Sequence, residues 1–156
     1  MNTPATLDRA GIEARIPHRG SMCLLEQLES WDAQRIHCST QTHRAPGNPL
    51  CTAGGLLAPN AIEYAAQAMA LHGGLTASAG EAPSAGFLAS VRQVRFGVDR
   101  LDDVEGALQV HATRLSGDER QVLYEFRVAD AAGRSLAQGR AVVVLNTPLA
   151  SKEATQ

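Results

Sequence analysis

One helical segment, residues 60–72, separates two groups of strand signals in this chain and limits the folds that it can form. Residues 60–72 are mostly alanine or larger apolar residues, and Glu63 is the one acid among them. A helix that is apolar nearly all round is expected to be buried. Burial disfavours the charged form of a carboxylic acid, which suits proton transfer. We therefore predict a buried helix on which Glu63 is a candidate for proton transfer.

The bounds of this helix are indicated by Pro59 at its start and by Gly73 at its end. Asn60 and Glu63 also have the spacing of a capping box, in which Glu63 binds a free backbone N–H at the helix start. The two interpretations of Glu63 are compatible, because an acid in the first turn can both cap and react. Gln67 lies one turn further along the same face and is a candidate for the same site.

Strand signals lie on both sides of the helix. Two precede it, at residues 22–31 and 35–43. Four follow it, at residues 87–96, 106–115, 122–129 and 135–146. Successive strands joined by short turns indicate an antiparallel meander. The order predicts an α+β fold in which an antiparallel sheet wraps one central helix. We expect a single domain over residues 1–156, with its core at about 12–146 and a polar tail after residue 148.

Composition excludes several classes of function. The net charge of -2 and the pI near 6.2 argue against a nucleic-acid binder or a polybasic membrane binder. Cys23, Cys38 and Cys51 are odd in number and lack close spacing, which predicts reduced thiols and no zinc site. The chain begins without the apolar run of a signal peptide, and no stretch approaches the length of a membrane span. These features predict a soluble cytoplasmic protein.

Two motifs narrow the fold class to a family. Residues 16–26 read Ile-Pro-His-Arg-Gly-Ser-Met-Cys-Leu-Leu-Glu, and residues 62–68 read Ile-Glu-Tyr-Ala-Ala-Gln-Ala. Gly86 and Phe87 begin a later segment with strand character. Together these segments resemble the hotdog-fold 3-hydroxyacyl-acyl-carrier-protein dehydratases over residues 12–146. The likeness is closest to the dehydratase-like proteins of aryl-polyene pigment clusters.

The resemblance implies a hotdog fold, a substrate and a set of site residues. Glu63 matches the family's catalytic acid, and N–H groups at the helix start would face the thioester oxygen. Five residues would line the substrate: Ala61, Ile62, Gln67, Gly86 and Phe87. The implied substrate is a 3-hydroxyacyl thioester on acyl carrier protein or coenzyme A, with no cofactor. The implied assembly is a homodimer, or a heterodimer with a related hotdog subunit.

The chain departs from the family's pattern in the loop before the helix, where dehydratases carry a catalytic histidine. At the usual spacing from Glu63 this chain has Pro49, and no histidine lies between His43 and His72. The aryl-polyene relatives share this altered loop. His43 ends the strand signal before the loop and is the candidate substitute base, whereas His18 resembles a structural or peripheral histidine. Three functions remain open: dehydration, thioester hydrolysis, and acyl binding by a non-catalytic subunit of a heterodimer.

Overall fold

Six antiparallel strands pack against one long helix in the computed structural model, which describes residues 3–77 and 86–145. The helices are α1 (Arg9–Glu13) and α2 (Ala61–Thr76). The strands are β1 (Gln27–Trp31), β2 (Arg35–Thr40), β3 (Gly86–Phe96), β4 (Leu108–Gly117), β5 (Gln121–Ala129) and β6 (Ser135–Leu145). Short 3-10 helices cover Gly20–Met22, Thr42–Arg44 and Ala58–Asn60. This architecture confirms the predicted α+β hotdog fold. The tail predicted after residue 148 lies outside the described residues.

The strands do not follow chain order across the sheet. Their order is β1-β2-β4-β5-β6-β3, and every neighbouring pair is antiparallel. Strands β4, β5 and β6 form the predicted meander, but β3 pairs with β6 and lies at a sheet edge. The predicted four-stranded meander is therefore wrong at its first strand. The chain after β3 is held by the segment before α2, where the Ala58 N–H donates to the Asp99 carbonyl and the Leu101 N–H donates to the Leu56 carbonyl.

The first strand signal, residues 22–31, is a strand only in its second half, because a 3-10 turn precedes β1. The second signal is better matched. Ile36, Cys38 and Thr40 of β2 are buried on one face, as their alternation predicts.

The apolar core lies between α2 and the sheet, with β2, β4 and β5 closest to the helix. The buried side chains of α2 include Tyr64, Ala65, Ala68, Met69, Leu71 and Leu75. They face buried apolar residues of the sheet, among them Ile36, Val110, Phe126 and Val128. The three cysteines are free thiols, two of them buried. No helix in residues 3–77 or 86–145 is both long and apolar enough to cross a membrane.

Both predicted ends of the helix need correction. Asn60 is helical, with φ -65° and ψ -15°, and its side chain caps no helical N–H, so the capping box does not form. At the other end α2 continues through Gly73 and ends at Thr76. The buried Leu75 anchors this last turn, and the Thr76 hydroxyl donates to the His72 carbonyl at 2.8 Å.

Candidate functional site

A cavity of about 410 Å³ lies along one face of α2. Glu63, Ala66, Ala70 and Gly74 line it, and their spacing of three or four residues places them on the same side of the helix. Ala66, Ala70 and Gly74 have little or no side chain, so they leave the space between the helix and its neighbours unfilled. The helix is apolar nearly all round, but on this face it borders a cavity instead of packing against other residues.

Three other segments complete the wall of this cavity, which we call the Glu63 cavity. They are residues 14–19, the start of β3 at residues 86–88, and Val143 of β6. Most of the lining is apolar. Its ionisable members are Arg15, His18, Arg19 and Glu63. The chain therefore combines an apolar cavity with one carboxyl group and one imidazole.

Glu63 and His18 form a direct contact in the cavity wall. The His18 Nε2 atom lies 3.2 Å from the Glu63 Oε1 atom. The side chains are 28% exposed for His18 and 36% exposed for Glu63, so the carboxyl group is half-buried in the single subunit. The sequence predicted a buried Glu63, whereas the open face of α2 leaves it accessible from the cavity.

Gln67 has a different place from the one its spacing predicted. It is fully buried and does not line the Glu63 cavity. Its Oε1 accepts the Leu24 N–H at 2.8 Å, and its Nε2 donates to the Met22 carbonyl at 2.7 Å. The same Nε2 lies 3.5 Å from Glu63 Oε1. Gln67 thus joins α2 to the segment after His18 and also contacts the carboxyl group.

The segment that carries His18 is held in a tight turn. The Arg9 guanidinium donates to the Gly20 carbonyl at 2.8 Å, and the Gly20 N–H donates to Glu13 Oε1 at 2.7 Å. Gly20 has φ +59°, a left-handed conformation that glycine adopts at little cost. The buried Ile16 anchors the turn in the core. These contacts direct the chain between α1 and β1 past the first turn of α2.

His43 is not brought to Glu63 within the subunit. It lies on the 3-10 helix Thr42–Arg44, not at the end of a strand, and is 1% exposed. Its Nε2 lies 2.9 Å from the Val104 carbonyl oxygen, and burial lowers its pKa below the usual value. His43 is absent from the lining of the Glu63 cavity. The predicted pairing of His43 with Glu63 therefore finds no counterpart in this geometry.

Ala61 and Ile62 also lie away from the cavity lining. The Ala61 N–H already contacts the carbonyls of Ala58 and Pro59, because a 3-10 turn precedes α2. Ala61 is therefore not a free donor for a thioester oxygen, which corrects the prediction for this residue. Gly86 and Phe87 do line the cavity, and their binding of substrate stays a prediction.

The loop before the helix has a structural connection to α2. The Tyr64 hydroxyl contacts the Thr42 hydroxyl at 2.9 Å and accepts from Asn48 Nδ2 at 3.0 Å. Burial raises the pKa of Tyr64. No residue of 44–58 is among the cavity-lining residues of the described chain. The altered loop around Pro49 is thus tied to the helix without reaching the Glu63 cavity of its own subunit.

A second cavity, of about 210 Å³, continues along α2 from the first. The two share Ala70, Gly86 and Val143 as wall residues. The second cavity is also lined by Arg114 and Tyr124, so it has polar groups of its own. The two cavities therefore adjoin along α2, with Ala70 in the wall of both.

The sequence analysis did not identify His18 as a residue of this site. His18 lies in the first motif but far along the chain from Glu63, and no local spacing relates the two.

Within residues 3–77 and 86–145, no group of three His, Cys, Asp or Glu side chains could hold a metal ion.

Comparison with known proteins places this geometry in a family. Residues 10–154 match the ApeP-like family, described as ApeP dehydratase. Among solved structures, the chain is similar to the dehydratase heterocomplex ApeI:P from Xenorhabdus doucetiae, with 28% identity and a TM-score of 0.78. That match covers 88% of this chain and 91% of the other. No curated protein sequence matches this chain.

Two thioesterases share the fold at lower identity. One, from Haemophilus influenzae, has 10% identity and a TM-score of 0.64, covering 94% of this chain and 95% of the other. The second, a hypothetical thioesterase with coenzyme A from Streptococcus pneumoniae, has 11% identity and a TM-score of 0.54, covering 76% and 84%. Identities this low establish the hotdog fold alone, whereas the family match extends over nearly the whole sequence. The chain therefore belongs to the ApeP-like family of dehydratases.

Proposed function

We propose that this protein is a subunit of a hotdog dehydratase that removes water from a 3-hydroxyacyl thioester in a polyene-type pathway. The observation that carries the proposal is Glu63, held by His18 and Gln67 beside a mainly apolar cavity. Membership of the ApeP-like dehydratase family supports the same reaction. The acyl group would be carried by acyl carrier protein or by coenzyme A.

The proposed reaction needs an acid and a base. A base removes a proton from C2, and the electron pair of that C–H bond forms the C2–C3 double bond. The C3–O bond breaks, and its electron pair stays on the oxygen, which takes a proton from the Glu63 carboxyl group. The products are a 2-enoyl thioester and water. The apolar part of the cavity lining suits the hydrocarbon part of the acyl group.

The proposal includes a partner subunit, which is supported by the edge strand β3. Within the described part of the chain, β3 pairs with β6 and with no other strand. Three large apolar side chains are exposed on it: Phe87 at 64%, Leu88 at 40% and Phe96 at 42%. A long apolar edge strand is a template for pairing with another chain.

The same edge borders the cavity, because residues 86–88 belong to both. A subunit paired with β3 would therefore cover the Glu63 cavity and could place a base beside it. The solved structure with 28% identity is a heterocomplex of dehydratase chains, which supports a related hotdog subunit as the partner. We propose that this partner supplies the base that removes the C2 proton.

The test is Glu63→Gln in the protein purified alone and with its copurified hotdog partner. The substitution keeps the size and the hydrogen bonding of the side chain but removes its transferable proton. We expect loss of about 10²- to 10⁴-fold in kcat for 3-hydroxyacyl thioesters. Glu125→Gln, on the exposed face of β5, is the matched control and should keep wild-type turnover.

The outcomes of this assay distinguish dehydration, thioester hydrolysis and acyl binding without turnover. Release of free acid from an acyl thioester without enoyl product would favour a thioesterase. Acyl binding without turnover, alone and with the partner, would favour a non-catalytic subunit. Dehydration that Glu63→Gln leaves unchanged would refute the proposed role of this carboxyl group.

A further inference from the structure

We propose that His18 is a positioning residue that directs the proton of Glu63 to one carboxyl oxygen, an inference that rests on the proposed dehydratase function. His18 belongs to the same subunit as Glu63, and no residue in the loop before α2 contributes to this contact. The role is separate from that of the base that removes the C2 proton.

The contacts of the Glu63 carboxyl group are asymmetric. His18 Nε2 lies 3.2 Å from Oε1, and Gln67 Nε2 lies 3.5 Å from the same atom. Among the described residues, Oε2 has no protein partner. Two N–H donors on one oxygen make that oxygen the acceptor of the group. A proton on the carboxyl group is therefore carried by Oε2, the oxygen left free for the leaving hydroxyl.

The other ring nitrogen of His18 indicates which tautomer is present. His18 Nδ1 is buried and has no hydrogen-bond partner in the described part of the chain. Buried N–H groups are rarely left without an acceptor. A neutral imidazole has its proton on one nitrogen only. The proton of the His18 ring is therefore on Nε2, and this nitrogen donates to Glu63.

The donor has a second effect during the reaction. When Glu63 gives its proton to the leaving hydroxyl, the remaining carboxylate gains charge, and a donor already aimed at it stabilises the product of that transfer. Gln67 holds both sides of this arrangement, since it bonds to Met22 and Leu24 while it contacts Glu63. The backbone that carries His18 and the helix that carries Glu63 are thus fixed relative to each other.

The experiment compares His18→Ala, His18→Gln, Glu63→Gln and the double variant His18→Ala with Glu63→Gln, each as the full chain with its copurified partner. Loss of one hydrogen bond to an ionised group should lower kcat about 10- to 100-fold in His18→Ala, with little change in KM. His18→Gln keeps an N–H donor and should recover most of this loss. His37→Ala, which removes a histidine outside the cavity, is the control and should leave kcat unchanged.

The double variant tests whether His18 acts through Glu63. If His18 acts through Glu63, the kcat of the double variant should be no lower than that of Glu63→Gln alone, because the proton that His18 directs is already missing. Independent losses in the double variant would overturn the proposal.

A second measurement does not depend on turnover. Nitrogen NMR of the imidazole rings, with His18 assigned by its substitution, should show the Nε2–H tautomer, and Glu63→Gln should perturb that signal. An Nδ1–H tautomer would overturn the proposal even in an active enzyme. If no 3-hydroxyacyl thioester is dehydrated, the proposed function fails, and the ring tautomer together with its response to Glu63→Gln still decides whether His18 donates to Glu63.

Discussion

Replacing Gln67 by leucine should lower the free energy of unfolding of the protein and should also disturb the candidate site. The leucine side chain has a similar size but cannot form either hydrogen bond to the segment of residues 22–24. The Leu24 N–H, which is buried, would lose its acceptor at 2.8 Å, and the Met22 carbonyl would lose its donor at 2.7 Å. A buried polar group left unpaired costs about 1–3 kcal/mol.

The two lost partners give the size of the expected effect. The Met22 carbonyl is only partly buried, so water can replace its donor in part, and the Leu24 N–H makes the larger contribution. We expect the free energy of unfolding to fall by roughly 2–4 kcal/mol. With an m-value near 2 kcal/mol/M, the urea midpoint would fall by about 1–2 M.

The assay is urea unfolding at one fixed protein concentration, because an oligomer's stability depends on concentration. Gln121→Leu, at an exposed position of β5, is the matched control and should stay within about 0.5 kcal/mol of wild type. A midpoint for Gln67→Leu equal to that of the control, with the same m-value, would refute the reasoning, since it would mean that Gln67 does not hold the segment of residues 22–24.

Two further predictions concern acid stability and substrate length. Burial lowers the pKa of His43, His72 and His111, so these rings take up protons more readily in the unfolded chain. The contribution of these histidines to the free energy of unfolding should be complete above about pH 6.5. Below that pH the free energy of unfolding should fall by at most about 1.4 kcal/mol per pH unit for each histidine. Urea midpoints between neutral pH and pH 5 check this, and a midpoint that rises on acidification contradicts it. Ala70 lines both cavities, so Ala70→Leu should reduce the volume of each, and long 3-hydroxyacyl thioesters should lose more kcat/KM than short ones. Ala132→Leu, in an exposed turn, is the control, and an unchanged chain-length profile for Ala70→Leu would show that the acyl chain does not pass Ala70.

The positions of the helix and the six strands were largely predictable, because their signals are local. Alternation along residues 35–43 identified β2 and its buried face, and an apolar segment identified α2. The end of α2 was missed because Leu75, two residues beyond Gly73, is buried in the apolar core, and the residues next to it in sequence do not indicate that burial. The placement of β3 beside β6 also depends on contacts between distant parts of the chain.

The sequence by itself determined that Glu63 is the only acid on an apolar helix and that Phe87 lies in a strand segment. Only the tertiary structure decided what meets that acid. His18 reaches Glu63 through a turn held by Gly20, while His43 lies buried against the Val104 carbonyl. The physical reason is separation along the chain. Helical and strand periodicity relates residues a few positions apart, whereas contacts between distant segments depend on how the whole core packs around α2.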